Sequence, residues 1–406
     1  MVTGTAASDL SMKAGLGYDF FSQQYFLDSA ILSGPESLYT TWSLENNYLD
    51  DQKGMFSLTY RPFEDRRLEM TTRYEQTGDF MRLKCLSDYS GYWGSKKMSL
   101  NTQVDWRHRY HGTASFGDSY IYGYGRGRLS VPMTGSISGT GQLQGEFVRF
   151  DSTSSLSYNY YRLGGKLGAE KLFRNFSYGN ISLTAMSRRV PDSAQLNYLS
   201  LGIEGSLFAF YRGGEADVFF RGEHKDYNQP DDQDDHYRFE ITGRNKIRLS
   251  DDYFTEQDLD LETVKYRPED IVNLNYTQAE LALLTGLETA GLSLAIGPDF
   301  ALLKEERQEF ATVEDYLETG AKLELDLISA GTYFLSFESV LGVRNLKESN
   351  DLQTDFSFAR INVLGDVRIL QKIDLNVLFS TELEHHDIKT NDSRIYLLSS
   401  TLSYQF

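Results

Sequence analysis

Long segments of this chain alternate strictly between apolar and polar residues, and that period of two limits the available folds more than any other feature. From Ile373 onward, Ile373, Leu375, Val377 and Phe379 fall on one face, while Asp374, Asn376, Ser380, Glu382 and Glu384 fall on the other. Residues 317–327 set Leu317, Thr319, Ala321, Leu323, Leu325 and Leu327 against Glu318, Gly320, Lys322, Glu324 and Asp326. Residues 237–249 set Tyr237, Phe239, Ile241 and Ile247 against Arg238, Glu240, Thr242, Arg244, Lys246 and Arg248. Successive side chains of a strand point to opposite faces, so each segment has one apolar and one charged surface. A helix would scatter the leucines around its axis.

These segments are about 10–14 residues long, longer than the 5–6 of ordinary globular strands and close to the span a tilted strand needs to cross a bilayer. They recur to the C-terminus, and 21 can be placed, including 38–47 and 54–62 in the less regular first hundred residues. Single-chain barrels normally have an even number, so about 20 strands (18–22) are expected. Short turns at Arg212-Gly213-Gly214, Ser250-Asp251-Asp252, Thr289-Ala290-Gly291, Ser329-Ala330-Gly331 and Gln371-Lys372 alternate with longer polar links at 226–235, 266–271, 305–315, 347–354 and 385–393. The short set shares a side with the chain end, which makes it periplasmic and the long set extracellular. The expectation is one antiparallel transmembrane β-barrel over 1–406, with 1–8 as a flexible mature N-terminus.

Composition agrees. Apolar residues are 40%, low for a soluble globule, yet the 27 Tyr, 25 Phe and 3 Trp argue against disorder. No run approaches the ~18 apolar residues of a membrane helix. A formal charge of −18 excludes a general nucleic-acid binder. The single Cys85 excludes an internal disulfide, a cysteine-ligated metal site and c-type haem attachment. It alternates with Met81 and Leu83, as a small lipid-facing residue would.

The final segment places Tyr396, Leu398, Leu402, Tyr404 and Phe406 on one face and ends on an aromatic. It resembles the C-terminal β-signal of Gram-negative outer-membrane β-barrels of porin-like architecture. The resemblance implies the bacterial outer membrane as location. It implies as partners outer-membrane lipid, lipopolysaccharide and the barrel-assembly machinery.

If the apolar face meets lipid, the charged face lines the lumen, because a charge in hydrocarbon costs about 2–4 kcal/mol at mid-depth. The candidate lining residues are Asp217, Arg221, Glu223, Arg238, Glu240, Arg244, Lys246, Arg248, Glu318, Lys322, Glu324, Asp326, Asp374, Asn376, Glu382 and Glu384. Interleaved signs either pair across strands and stiffen the wall, or set a basic wall at 237–249 against acidic ones at 317–327 and 372–386. Pro298 must forfeit a ladder hydrogen bond in a closed barrel, so a bulge at Gly297-Pro298 or a break is expected.

Candidate chemistry is sparse. Gly117-Asp118-Ser119 near His108 and His111 lacks a nucleophile elbow and reads as a polar loop. His385 and His386 point apart on a strand. Asp231, Asp232, Asp234 and Asp235 form an acidic outer loop without the ligand spacing of a calcium loop. No enzyme activity, cofactor or metal is expected. The leading functional expectation is a cation-leaning channel for passive diffusion of small hydrophilic solutes. The alternative is a structural sheath or conduit enclosing a lumen-filling or docking protein, as in porin-cytochrome or secretion-type complexes. A soluble β-rich binding protein is a minor alternative.

Overall fold

A computed structural model describes residues 9–25, 47–61, 67–77, 80–110, 119–151, 158–228, 235–267, 275–306, 315–329, 331–347 and 354–405. Among these residues, apart from two short 3-10 turns at Ala194–Leu196 and Lys389–Asn391, every regular element is a strand. In chain order these are β1 Asp9–Tyr25, β2 Asn47–Arg61, β3 Leu68–Gln76, β4 Phe80–Trp93, β5 Lys96–Arg109, β6 Tyr120–Thr134 and β7 Ile137–Phe150. There follow β8 Tyr160–Leu172, β9 Tyr178–Arg189, β10 Tyr198–Tyr211, β11 Gly214–Tyr227, β12 Asp235–Arg248, β13 Tyr253–Arg267 and β14 Asn275–Glu288. The last are β15 Leu292–Glu306, β16 Tyr316–Ser329, β17 Tyr333–Leu346, β18 Phe356–Leu370, β19 Ile373–His386 and β20 Ser393–Gln405.

Each strand pairs antiparallel with its chain neighbours, and β1 pairs with β20 from Lys13↔Gln405 to Tyr25↔Ser393. The sheet therefore closes on itself as a 20-stranded barrel. The count matches the even number expected. The expected segment 38–47 lies outside the described residues except for Asn47, and the expected segment 54–62 is the second half of a single strand, β2.

Closure separates the two faces. Arg360 on β18 reaches Glu318 on β16 at 3.0 Å, Arg128 on β6 reaches Glu170 on β8 at 2.7 Å, and Lys246 on β12 reaches Glu288 on β14 at 2.8 Å. Each contact skips a strand. Strands two apart are separated by about 9–10 Å at the backbone, and side chains converge across that gap only on a concave surface. The charged face is thus the interior. The outward face carries Leu163, Leu167, Leu183, Leu201, Leu317 and Ile373. Their exposure, up to 71% for Leu167, is a lipid contact and not a packing failure.

Pro298 does not produce the expected bulge. Ala282↔Asp299 and Thr285↔Ile296 keep one register across it, and only the two pairings between them are missing on the β14 side. On the β16 side Pro298↔Ala321 is retained. Gly297 permits this, because a Cβ there would stand 1.9 Å from the Leu283 carbonyl oxygen. Bulges occur elsewhere, near the turn ends, at Pro132/Thr134 and Arg368/Leu370.

The outer rim carries a repeated device. A short polar residue stands just before the inward aromatic that opens a descending strand, and its side-chain oxygen accepts the backbone N–H that ends the preceding ascending strand. Asn159 takes Phe150 N at 2.8 Å, Asn197 takes Val190 N at 2.6 Å and Asp235 takes Tyr227 N at 2.6 Å. Asn275 takes Tyr266 N at 2.7 Å, Asp315 takes Glu305 N at 2.7 Å and Asp355 takes Leu346 N at 2.8 Å. Ser119 does the same for Arg109 at 3.0 Å, and Asp392, which precedes Ser393 and no aromatic, accepts the His386 N–H at 2.8 Å. The backbone carbonyls of Ser119, Asn197, Asp315 and Asp355 accept N–H groups from the next ascending strand, tying neighbouring hairpins together. Burial works against ionisation of Asp392, but the His386 N–H and the His385 ring outweigh it and hold the carboxyl below its ordinary value.

Removing one tie by Asp315→Ala should lower the unfolding free energy by about 1 kcal/mol, while Asp315→Asn, which keeps the acceptor, should unfold close to wild type in a urea titration. Equal loss in both variants would rule out the hydrogen bond as the cause. The depressed Asp392 carboxyl stabilises the fold above its unfolded value near 4, and that contribution fades as pH falls through the folded value. Asp392→Asn should therefore flatten the acid limb of the stability profile, measured by tryptophan fluorescence.

Candidate functional site: the inner face of the barrel

Strand register settles which residues share the interior. From β12, even-numbered residues face inward and oppose Glu215, Asp217, Arg221 and Glu223 of β11 and Glu256, Asp258 and Glu262 of β13. The same bookkeeping, carried strand to strand, puts all sixteen candidate lining residues on the interior face. Most are ion-paired. Arg244 meets Glu256 at 2.5 Å, Arg238 meets Glu262 at 2.7 Å, Arg221 meets Glu223 at 2.6 Å and Lys322 meets Glu324 at 2.9 Å. Glu240 lies 3.5 Å from Arg238, and Arg248 3.8 Å from Glu288. Asp374 sits between Arg368 at 3.1 Å and Lys13 at 3.7 Å, and Glu384 accepts the Ser393 hydroxyl at 2.5 Å.

The densest network centres on Glu318, which is only 3% exposed. One of its carboxylate oxygens accepts Arg344 Nε at 2.6 Å and Arg360 Nη2 at 3.0 Å, and the other accepts Arg360 Nη1 at 3.0 Å. Arg360 Nε continues to Glu382 at 2.8 Å. Four strands, β16 to β19, are cross-linked by four charge-assisted bonds of the stronger kind. Arg344 also lies over the Tyr316 and Phe356 rings, 4.0 and 4.9 Å from their centroids.

The charge map differs from the sequence expectation in one respect. A basic wall at 237–249 does not stand alone, because the β12 cations are taken up by carboxylates of β13 and β14. Instead, the inward residues of β13 to β15 include Glu256, Asp258, Asp260, Glu262, Glu280, Glu288, Asp299 and Glu305 and no Lys or Arg. Ten strands away, which is across the barrel, β4 to β6 point Arg82, Lys84, Lys97, Arg107, Arg109, Arg126 and Arg128 inward against only Asp88 and Asp105. Recesses mark both walls. One of about 310 Å³ lies against Asp258, Asp260, Glu280, Asp299 and Lys322, and one of about 350 Å³ against Lys13, Arg73, Arg82 and Lys84.

Near the outer mouth the interior is ringed by aromatics. Tyr198 and Tyr227 meet at 5.6 Å, His236 and Tyr266 at 5.3 Å, and Phe356 and His386 at 4.5 Å between centroids. Arg188 and Lys225 each lie 4.6 Å from the Tyr198 ring.

The remaining candidates separate. Ser119 spends its hydroxyl on the Arg109 N–H, and His108 stacks on Trp106 on the outward face, 6.0 Å between centroids. Gly117, Asp118, His111, Asp231, Asp232 and Asp234 lie outside the described residues. His385 turns to Asp392 at 3.1 Å and His386 to Thr354 at 3.0 Å. No group of three metal-ligating side chains occurs among the described residues. Cys85 is exposed on the outward face. Tyr396, Leu398, Leu402 and Tyr404 face outward opposite Thr381, Phe379, Leu375 and Ile373, while Phe406 lies outside the described residues.

Glu318→Gln removes the charge that holds Arg344 and Arg360. It should destabilise the barrel by roughly 1–3 kcal/mol, the range for charged hydrogen bonds, because both arginines keep access to lumen water. Urea unfolding of Glu318→Gln and of the Arg344→Gln, Glu318→Gln pair measures it. A single-variant loss under 0.5 kcal/mol would show that the network contributes nothing net.

No family model matches the chain, and no curated protein is similar to it. Among solved structures it is similar to the outer membrane protein OpdK of Pseudomonas aeruginosa, at 10% identity and a TM-score of 0.51 over 98% of each chain. It is similar to OprD of Pseudomonas aeruginosa, at 10% identity and a TM-score of 0.50 over 99% of this chain and 97% of that one. It is also similar to the siderophore receptor PirA of the same species, at 10% identity and a TM-score of 0.52 over 99% of this chain and 81% of that one. These likenesses establish the fold: a closed antiparallel β-barrel of the architecture those outer-membrane proteins have.

Proposed function

We propose that the protein is a non-enzymatic channel through which small hydrophilic solutes cross the outer membrane passively. One observation carries this reading: charged and polar side chains cover the inner face of a closed ring, and every described strand belongs to the wall. Such a surface is costly unless water meets it. OprD and OpdK share the fold, which fits a channel without naming its solute. The acidic arc of β13 to β15 supports cation-leaning conduction, since charged walls bias ion passage. The C-terminal residues Tyr396, Leu398, Leu402, Tyr404 and Phe406 serve as the assembly signal in this reading, with lipid and lipopolysaccharide outside the barrel. Enclosure of a partner protein is the second reading, and the width of a 20-stranded ring favours it, because barrels of 22 strands hold a plugged lumen.

Planar-bilayer recording separates the two. A channel gives steady steps in potassium chloride, with a reversal potential shifted toward the cation in a salt gradient. Asp260→Asn with Glu280→Gln should reduce that shift at least twofold. Silence from a barrel that still shows heat-modifiable gel mobility would sink the channel reading and leave the enclosing one.

A further inference from the structure

Arg73 on β3 and Lys84 on β4 are direct cross-strand partners on the interior face. Like charges placed opposite each other are destabilising. The same arrangement occurs at Arg82 and Arg107 and at Arg162 and Arg188, but there Asp105 binds Arg82 and Glu146 binds Arg162. Neither Arg73 nor Lys84 has an ion pair among the described residues. The nearest carboxylate in register with Lys84 is Asp105, but both its oxygens are held by Arg82 Nε, at 2.9 and 3.1 Å, and by Arg82 Nη2. Glu75 stands opposite Arg82 in turn. Along the same row toward β1, Ser57 opposes Arg73 and Lys13 opposes Ser57. Lys13 has a single ion pair among the described residues, at 3.7 Å, with an Asp374 that Arg368 holds more closely.

These side chains border one recess of about 350 Å³, whose polar lining is Lys13, Ser57, Arg73, Glu75, Arg82, Lys84 and Ser403. It therefore presents two cations without an ion pair among the described residues, a third weakly held one, Arg82 already bound to Asp105, and two hydroxyls, against the single carboxylate of Glu75. An arginine fork matches a carboxylate or phosphate edge in bidentate fashion, and a lysine adds a mobile point charge. An anion seated there would turn a repulsive pair into an attractive triad.

We propose that this recess is a subsite for the oxyanion group, carboxylate or phosphate, of a solute in the lumen, with Arg73 and Lys84 as its principal ligands. The inference rests on the channel reading for its physiological role, but not for its chemistry. It coexists with a cation-leaning current, because the acidic arc lies across the lumen.

The test uses the full-length barrel in planar bilayers with inorganic pyrophosphate as probe. Wild type should show concentration-dependent current block, and the Arg73→Gln, Lys84→Gln variant should require at least tenfold more pyrophosphate. Arg73→Glu pairs with Lys84 internally, so it should abolish block while raising the thermal unfolding midpoint. Unchanged block in the double variant, or none in wild type, overturns the subsite. If the barrel does not conduct, the channel reading fails by itself, and equilibrium dialysis of labelled pyrophosphate against the detergent-solubilised protein decides the subsite by the same tenfold criterion.

Discussion

Hydrocarbon offers no hydrogen-bond partner to a backbone, and the rest of this architecture depends on that. An unsatisfied N–H or C=O costs several kcal/mol there, so a spanning sheet must have no edge. Pairing of β1 with β20 removes the edge, and closure then assigns every strand an inside and an outside. The price appears at Pro298, whose missing N–H interrupts two pairings without altering register, because Gly297 lets the β14 backbone come close. A bulge would have shifted every later residue of β15 to the wrong face. Conserving register across the gap keeps Asp299 inside and Phe300 outside.

Curvature is the second consequence. On the concave face, side chains two strands apart come within reach, so ion pairs such as Arg360 with Glu318 join strands that are not hydrogen-bonded to each other. The interior is in this sense the core of the molecule, although a wet one. Its most buried acidic groups, Glu318, Glu256 and Asp105, each meet an arginine. The convex face needs no such contacts, since lipid supplies the apolar surroundings. That explains why a chain with 40% apolar residues can expose so many of them.

Alternation made most of this readable in advance. Segment 372–386 corresponds to β19, Ile373–His386, and the face of all sixteen lining candidates follows from parity alone. What parity omits is partner choice. Glu318 and Arg360 are 42 residues apart, and their contact depends on stagger and curvature, so a strand rich in arginine looked like a basic wall when its charges were already matched. The first hundred residues misled for a different reason: β2 carries Asp50, Asp51, Gln52 and Lys53 in sequence, which breaks the alternation within one strand. The rim device was legible and overlooked. Ser119-Tyr120, Asn159-Tyr160, Asn197-Tyr198, Asn275-Tyr276, Asp315-Tyr316 and Asp355-Phe356 recur at intervals close to the length of a hairpin. The dipeptide repeats because each of these hairpins faces the same two demands, a strand-end N–H to satisfy and a ring to turn inward.

Charge segregation exists only in the closed form. The acidic strands β13 to β15 and the basic strands β4 to β6 are separated by well over a hundred residues, and the word opposite has no meaning until the ring closes. Where signs interleave, as from β16 to β19, neighbouring charges cancel within a few ångströms and the field dies quickly in water. Where one sign runs through three adjacent strands, most local partners lie on strands outside the arc, as for Glu262 with Arg238 and Arg128 with Glu170, and the charges left over address each other across the lumen or recruit ions from it. Stability alone would favour interleaving throughout. The departure from it at these two arcs, and at Arg73 beside Lys84, leaves part of the wall charged beyond what its neighbours match, and on the channel reading that is the part a solute would meet.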